Sequence, residues 1–270
     1  MAENSRLHYA ASGNPQNPAL LFLHGFMGSQ LDWKETIELL QTDYHCLALD
    51  LPGHGRTGRC PDPEAYTMTG AARMVAAMMN EKRIQSCTLI GYSMGSRLAL
   101  HMAIHYTDRC SALVMESGSP GIQSAVERDV RRALDEKRAH ELENSDFESF
   151  LRSWYKQPLF ESLKRDPVLF EQILERRRKN DPVELAKSLR GMGPGDQPAL
   201  WQDLPHLETP LLILVGEMDL KYKRIAQEMK SLCPKARLEL VPNTGHNIHA
   251  ETTGEVVEAL KRFLISIRQK

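Results

Sequence analysis

The chain predicts an α/β fold: a mostly parallel sheet flanked by helices, with a helical insertion in its second half. Three observations carry that prediction. Short apolar runs of strand length alternate with amphipathic stretches of helical length. One strand-to-helix passage is a sharp turn with glycine on both sides, and one long segment loses strand signals altogether.

Taken in order, residues 19–23 form an apolar strand that runs into His24, Gly25, Phe26, Met27 and Gly28. The next strand, 44–49, ends in Asp50, Leu51, Pro52, Gly53, His54 and Gly55, a turn rich in glycine and proline. A helical pattern over 69–82 precedes the strand 87–90. That strand leads into Gly91, Tyr92, Ser93, Met94, Gly95, and the helix pattern 97–106 follows at once. This is the G-x-S-x-G nucleophile elbow in the strand–turn–helix setting it requires, with glycines leaving room for a strained serine whose hydroxyl stands free. A strand at 111–115 follows. From about 121 to 204 the texture changes to charged helical patterns, at 125–141, 146–154, 160–163, 167–179 and 181–189. The strand 211–215, the helix 222–232, the strand 237–241 and the helix 255–268 complete the chain. The expected organisation is a core of residues 1–120 and 205–270, with residues 121–204 as a helical cap that shields the site.

A serine hydroxyl needs an imidazole to take its proton and a carboxylate to orient that imidazole. Asp219 lies just past the strand 211–215, and His246 lies on the loop after 237–241, at the same sheet edge as Ser93. Glu217 and Asp203 are other carboxylates to weigh, and His249 is the alternative histidine. The backbone N–H groups of Phe26, after the first strand, and Met94, at the start of the elbow helix, are placed to form an oxyanion hole. His24 and His54 read as structural. Arg97 lies one helical turn after Ser93 on the same face. Its guanidinium fork suits a carboxylated substrate; the competing reading is a solvated helix arginine. Tyr92, beside the nucleophile, either touches substrate or packs.

At 270 residues with 41 % apolar content, one large α/β domain with an insertion is expected and no second catalytic domain fits. A formal charge of -1 gives no reason to expect nucleic acid or an anionic membrane as partner. The five cysteines, Cys46, Cys60, Cys87, Cys110 and Cys233, are odd in number and lack a C-x-x-C pair, so neither a disulfide framework nor a zinc site is indicated. Cys46 and Cys87, inside strand patterns, read as buried thiols. Residues 1–10 are polar and no run approaches 18 apolar residues, so no signal peptide or membrane span is expected, and a cytoplasmic location follows. No metal-ligand spacing, dinucleotide fingerprint or Walker A motif appears, so no metal and no cofactor are expected.

These residues resemble the α/β-hydrolase superfamily over nearly the whole chain, and within it the 2-succinyl-6-hydroxy-2,4-cyclohexadiene-1-carboxylate synthases of vitamin K biosynthesis. The resemblance is carried by Leu23, His24, Gly25, Phe26, Met27, Gly28 and Ser29, and by the elbow with Ser96 and Arg97. The acid loop Gly216, Glu217, Met218, Asp219, Leu220, Lys221, Tyr222 and the histidine loop Gly245, His246, Asn247, Ile248, His249, Ala250, Glu251 add to it. It implies the α/β-hydrolase fold and a lyase that eliminates pyruvate from 2-succinyl-5-enolpyruvyl-6-hydroxy-3-cyclohexene-1-carboxylate. Ser93, His246 and Asp219 would remove a ring proton without an acyl-enzyme. The resemblance also implies that cap arginines join Arg97 on the substrate's carboxylates. By match of neighbouring residues Arg128 is the first candidate, with Arg131 its rival; Arg177 is a further match, Arg190 another, and Trp154 would line the pocket. The expected partner is thus a small molecule with several carboxylates, for a monomer or weak homo-oligomer. Two other functions share these residues: an esterase, thioesterase or carbon–carbon hydrolase using the same triad, and a non-catalytic binding protein on this fold.

Overall fold

Seven strands make one sheet in a computed structural model that describes residues 6–268. The ends of the expected core, 1–5 and 269–270, lie outside the described residues. The strands are β1 (Tyr9–Ser12), β2 (Ala19–Leu23), β3 (His45–Leu49), β4 (Cys87–Tyr92), β5 (Cys110–Glu116), β6 (Leu211–Gly216) and β7 (Arg237–Val241). Their order is β1-β3-β2-β4-β5-β6-β7, and all pairs are parallel except β1 with β3. The antiparallel edge strand β1 was not expected; four residues, Tyr-Ala-Ala-Ser, carry too little apolar alternation to announce a strand.

Helices α1 (Lys34–Glu38), α2 (Met68–Glu81) and α3 (Met94–His105) precede the insertion, which supplies α4 (Ala125–Asn144), α5 (Phe147–Trp154), α6 (Pro167–Arg177) and α7 (Pro182–Met192). Helices α8 (Leu220–Leu232), α9 (Ile248–Glu251) and α10 (Thr253–Arg268) follow. The period of two along each strand decides the layering. Leu21, Leu23, Leu89, Met115 and Ile213 face one way, onto apolar residues of α2, α3 and α8 such as Val75, Leu98 and Met229. Leu20, Phe22, Ile90, Val114 and Leu214 face the other way, onto Trp33 just before α1, Ile37 of α1, and Leu260 and Phe263 of α10. A parallel sheet covered on both faces is the result.

Register places the site. Leu23 pairs with Gly91, Tyr92 with Glu116, and Gly216 with Val241, so the loops after β2, β4, β5, β6 and β7 leave from one edge. The inserted helices gather over it around their own cluster, including Ala139, Leu142, Phe150, Leu174, Leu185 and Leu189, and Met27 of the sheet domain inserts into that cluster. Leu200, Trp201 and Leu204 pack instead in the cluster under α2 and α3, and Trp201 Nε1 donates to Gly121 O. Among the described residues no helix is long and apolar enough to cross a membrane.

Candidate active site

Ser93 sits between β4 and α3 with φ 50° and ψ −106°, a conformation an ordinary serine avoids. Its surroundings enforce the turn. A Cβ on Gly91 would lie 2.3 Å from Gly95 O, and one on Gly95 would lie 2.1 Å from Leu23 O, so only glycine lets the helix pack this close to the sheet. The Ser93 N–H donates to Glu116 O, and Ser96 Oγ reaches Gly91 O and Glu116 O, pinning the turn to β5.

The Ser93 Oγ lies 3.1 Å from His246 Nε2, and His246 Nδ1 lies 2.6 Å from Asp219 Oδ2. A carboxylate only accepts, so Nδ1 carries the hydrogen and Nε2 is left to accept from the serine hydroxyl. Asp219 is fixed in turn: it caps α8, with Oδ1 taking the Tyr222 N–H. His249 is committed elsewhere. Its Nδ1 and its backbone N–H both bond Glu116 Oε1, and its ring stacks on Trp33 at 4.2 Å. Glu217 is exposed, and neither it nor Asp203 bonds His246.

Met94 begins α3, where N–H groups have no partner within the helix, and Phe26 lies across the same cavity. Among the described residues neither N–H donates to a protein acceptor. His24 accepts from the Leu51 N–H at Nε2 and donates to Gly25 O, which orders the loop before Phe26. Burial pushes its pKa down, and that of His54 further, so both stand as neutral rings behind the cavity wall.

The cavity over Ser93 is lined by Phe26, Tyr92, Met94, Arg97, Arg131, Arg138, Trp154, Arg177, Lys221, Tyr222 and His246, among others. Arg97 is 7 % exposed and donates from Nη1 to Met192 O and Gln197 Oε1, not to a carboxylate; burial lowers its pKa to about 10, so it stays charged at neutral pH. Arg177 is held by Asp32 Oδ1 at 2.8 Å and by the Tyr155 hydroxyl at 3.1 Å. Trp154 packs on Phe26 with ring centres 5.1 Å apart, and Tyr92 lies buried beside the His246 ring.

Arg128 does not reach this cavity. It shares the inward stripe of α4 with Arg131, Asp135, Arg138 and Leu142, but it is one turn nearer the helix start, and Arg131 lines the pocket in its place. Arg190 is also elsewhere, clamped bidentate between Glu136 and Glu143. Sequence reasoning gave no role to Arg138, Lys221, Tyr222, Ser188 and Asn247, all of which line the site. The spacing 131, 135, 138, 142 was the available signal for Arg138, and Lys221 stands two residues after Asp219. Arg138 lies over the Trp154 ring and donates to Gln157. Burial, followed by Arg131, lowers the pKa of Lys221. Among the described residues, Ser188 Oγ and Asn247 Oδ1 are buried without a hydrogen-bond partner. Five cations thus surround one cavity, and two of them, Arg131 and Arg177, are paired with carboxylates.

Comparison with known proteins agrees with this geometry. A family model described as alpha/beta hydrolase fold matches residues 18–253. A Bacillus subtilis (strain 168) protein provisionally named 2-succinyl-6-hydroxy-2,4-cyclohexadiene-1-carboxylate synthase is 36% identical, over 99% of this chain and 97% of its own length. The synthase of that name from Klebsiella pneumoniae subsp. pneumoniae is 32% identical, over 94% of this chain and 97% of its own. The solved structure of MenH from S. aureus superposes with a TM-score of 0.92 at 36% identity, covering 97% of this chain and 99% of that one. Together with the elbow, the parallel sheet and the site at its edge, these similarities show that the chain belongs to the α/β-hydrolase family, in its branch of 2-succinyl-6-hydroxy-2,4-cyclohexadiene-1-carboxylate synthases.

Proposed function

We propose that this protein is a carbon–oxygen lyase that eliminates pyruvate from 2-succinyl-5-enolpyruvyl-6-hydroxy-3-cyclohexene-1-carboxylate, giving 2-succinyl-6-hydroxy-2,4-cyclohexadiene-1-carboxylate on the route to menaquinone or phylloquinone. One observation carries the choice of substrate over a neutral ester: the cations Arg97, Arg131, Arg138, Arg177 and Lys221 around the Ser93 cavity, which match a molecule bearing several carboxylates. The inserted helices supply three of the five and act as the cap over the reaction.

In this reading His246 takes the Ser93 hydroxyl proton as Ser93 Oγ removes a ring proton beside the succinyl carbonyl, and Asp219 steadies the resulting imidazolium. Negative charge moves to the carbonyl oxygen, which the Phe26 and Met94 N–H groups receive. Collapse of that enolate breaks the carbon–oxygen bond to the enolpyruvyl group, which leaves and, on protonation, becomes pyruvate. Five unpaired cysteines fit a reducing compartment, so the reaction is assigned to the cytoplasm.

Pyruvate release from the enolpyruvyl substrate tests the proposal. The native protein is expected to release it, and Ser93→Ala to be slower by about 10,000-fold or more. No release by the native protein, or a trappable acyl group on Ser93 with a nitrophenyl ester as the sole productive substrate, would assign it to the hydrolases instead.

A further inference from the structure

The loop that carries Phe26 is fastened to the inserted helices. Its turn is closed by the Gly28 N–H on Gly25 O, with Phe26 and Met27 at the centre. Met27 has φ 61°, the left-handed region, at a turn position where glycine or asparagine is the usual residue. Such a torsion persists only where the surroundings determine it. Two contacts do so here. The Met27 side chain is fully buried in the apolar cluster of the inserted helices, and its carbonyl accepts Asn180 Nδ2 at 2.9 Å.

Asn180 lies three residues past the end of α6 and is 8 % exposed. Its Nδ2 also donates to Arg177 O at 3.1 Å, and its Oδ1 takes the Gly55 N–H at 3.0 Å. Both amide hydrogens and the carbonyl are therefore engaged, which makes the side chain a fixed strut between α6, the turn after β2 and the turn after β3.

We infer that Asn180 is a positioning residue for the backbone donor at Phe26, so that the oxyanion site is set by the seating of the inserted helices on the sheet. It does not touch reacting atoms. It holds the far side of the turn whose near side presents the Phe26 N–H. The inference rests on the proposed role of Phe26 as an oxyanion donor.

Asn180→Asp tests it, because it keeps the size and the acceptor for Gly55 while replacing the Met27 donor with an oxygen. Removing an oxyanion donor costs about 100- to 1,000-fold in kcat, and misplacing one costs part of that. The expected result for pyruvate release is a kcat loss of roughly 10- to 100-fold with KM changed less than about threefold. A second readout uses phenylboronic acid, whose boron accepts the Ser93 oxygen while the hydroxyl proton passes to His246. The tetrahedral adduct then places an oxygen against the Phe26 and Met94 N–H groups. Its affinity is expected to fall in parallel with kcat, with succinate binding unchanged. Met27→Ala, which removes the other fastening, is expected to show the same selective loss should Asn180→Asp prove poorly folded. A folded variant that keeps kcat and boronate affinity within about twofold of native overturns the inference, as does a rise in KM alone. If the native protein binds the boronate yet releases no pyruvate, the assignment of the reaction fails, and the boronate affinities of native and variant decide for or against Asn180.

Discussion

Arg97 shows what one residue contributes beyond the Ser93–His246–Asp219 arrangement. It is buried beside Ser93 with its charge answered by a carbonyl and an amide oxygen, and the proposed function gives it a substrate carboxylate to hold. Arg97→Ala is expected to lower kcat/KM for the enolpyruvyl substrate by about 100- to 1,000-fold, the loss of two charge-assisted hydrogen bonds, while hydrolysis of nitrophenyl acetate changes less than about threefold. Equal losses on both substrates would deny Arg97 a role in recognition. Its position was legible because four residues on from the elbow serine means one turn up the same helix face. Arg128 was put first by match of neighbouring residues, with Arg131 as its rival; Arg131, three residues or about 4.5 Å further along α4, is the one that lines the cavity, and sequence matching does not say where a helix crosses a cavity.

The link between α6 and the loop before α1 belongs to the scale of elements. Asp32 and Arg177 are each about 3 % exposed and 2.8 Å apart. Burial would raise the Asp32 carboxyl, but the charge and hydrogen bond of Arg177, with the charge of Arg176 added, together outweigh it and hold the group at about 2, below its ordinary value. A carboxyl depressed in the folded state stabilises above its unfolded value near 4, and that contribution is lost as pH falls toward 2. Asp32→Asn is therefore expected to lower stability at pH 7 by about 3 kcal/mol, since it leaves a buried guanidinium without its carboxylate, and to flatten the dependence of stability on pH between about 4 and 2. Chemical denaturation at several pH values measures both; a parallel curve, displaced but equally steep, would mean that Asp32 is not the depressed group. No pattern in the sequence announces this pair, because 145 residues separate its members. The same holds for Glu116 and His249, 133 apart, whose bonds place His249 away from Ser93. Asp219 and His246 were legible because each lies on the short loop that follows a strand pattern, 211–215 and 237–241.

For the whole molecule, the contrast is between a formal charge of -1 and a site lined by five cations. Charge balance over the chain conceals a local field. Turnover of the polycarboxylate is expected to fall about tenfold in kcat/KM between roughly 10 mM and 500 mM ionic strength, with nitrophenyl acetate hydrolysis unaffected. A flat salt profile for the polycarboxylate would show that the cations do not guide it. The sheet, its helices and its insertion were legible from period and length, since strands buried on both faces read as unbroken apolar runs. How the inserted helices face the site was not, because charged helices show the same pattern whether their arginines meet solvent or a cavity.

The seating of Arg97 sets activity against durability. A guanidinium kept from water and, among the described residues, bonded to no carboxylate is a cost to folding, so an apolar side chain of similar length relieves it. Arg97→Met is expected to melt several degrees above the native protein even as it loses its substrate, and succinate is expected to raise the melting temperature of the native chain but not of that variant. Thermal endurance in this enzyme is thus something its chemistry holds back.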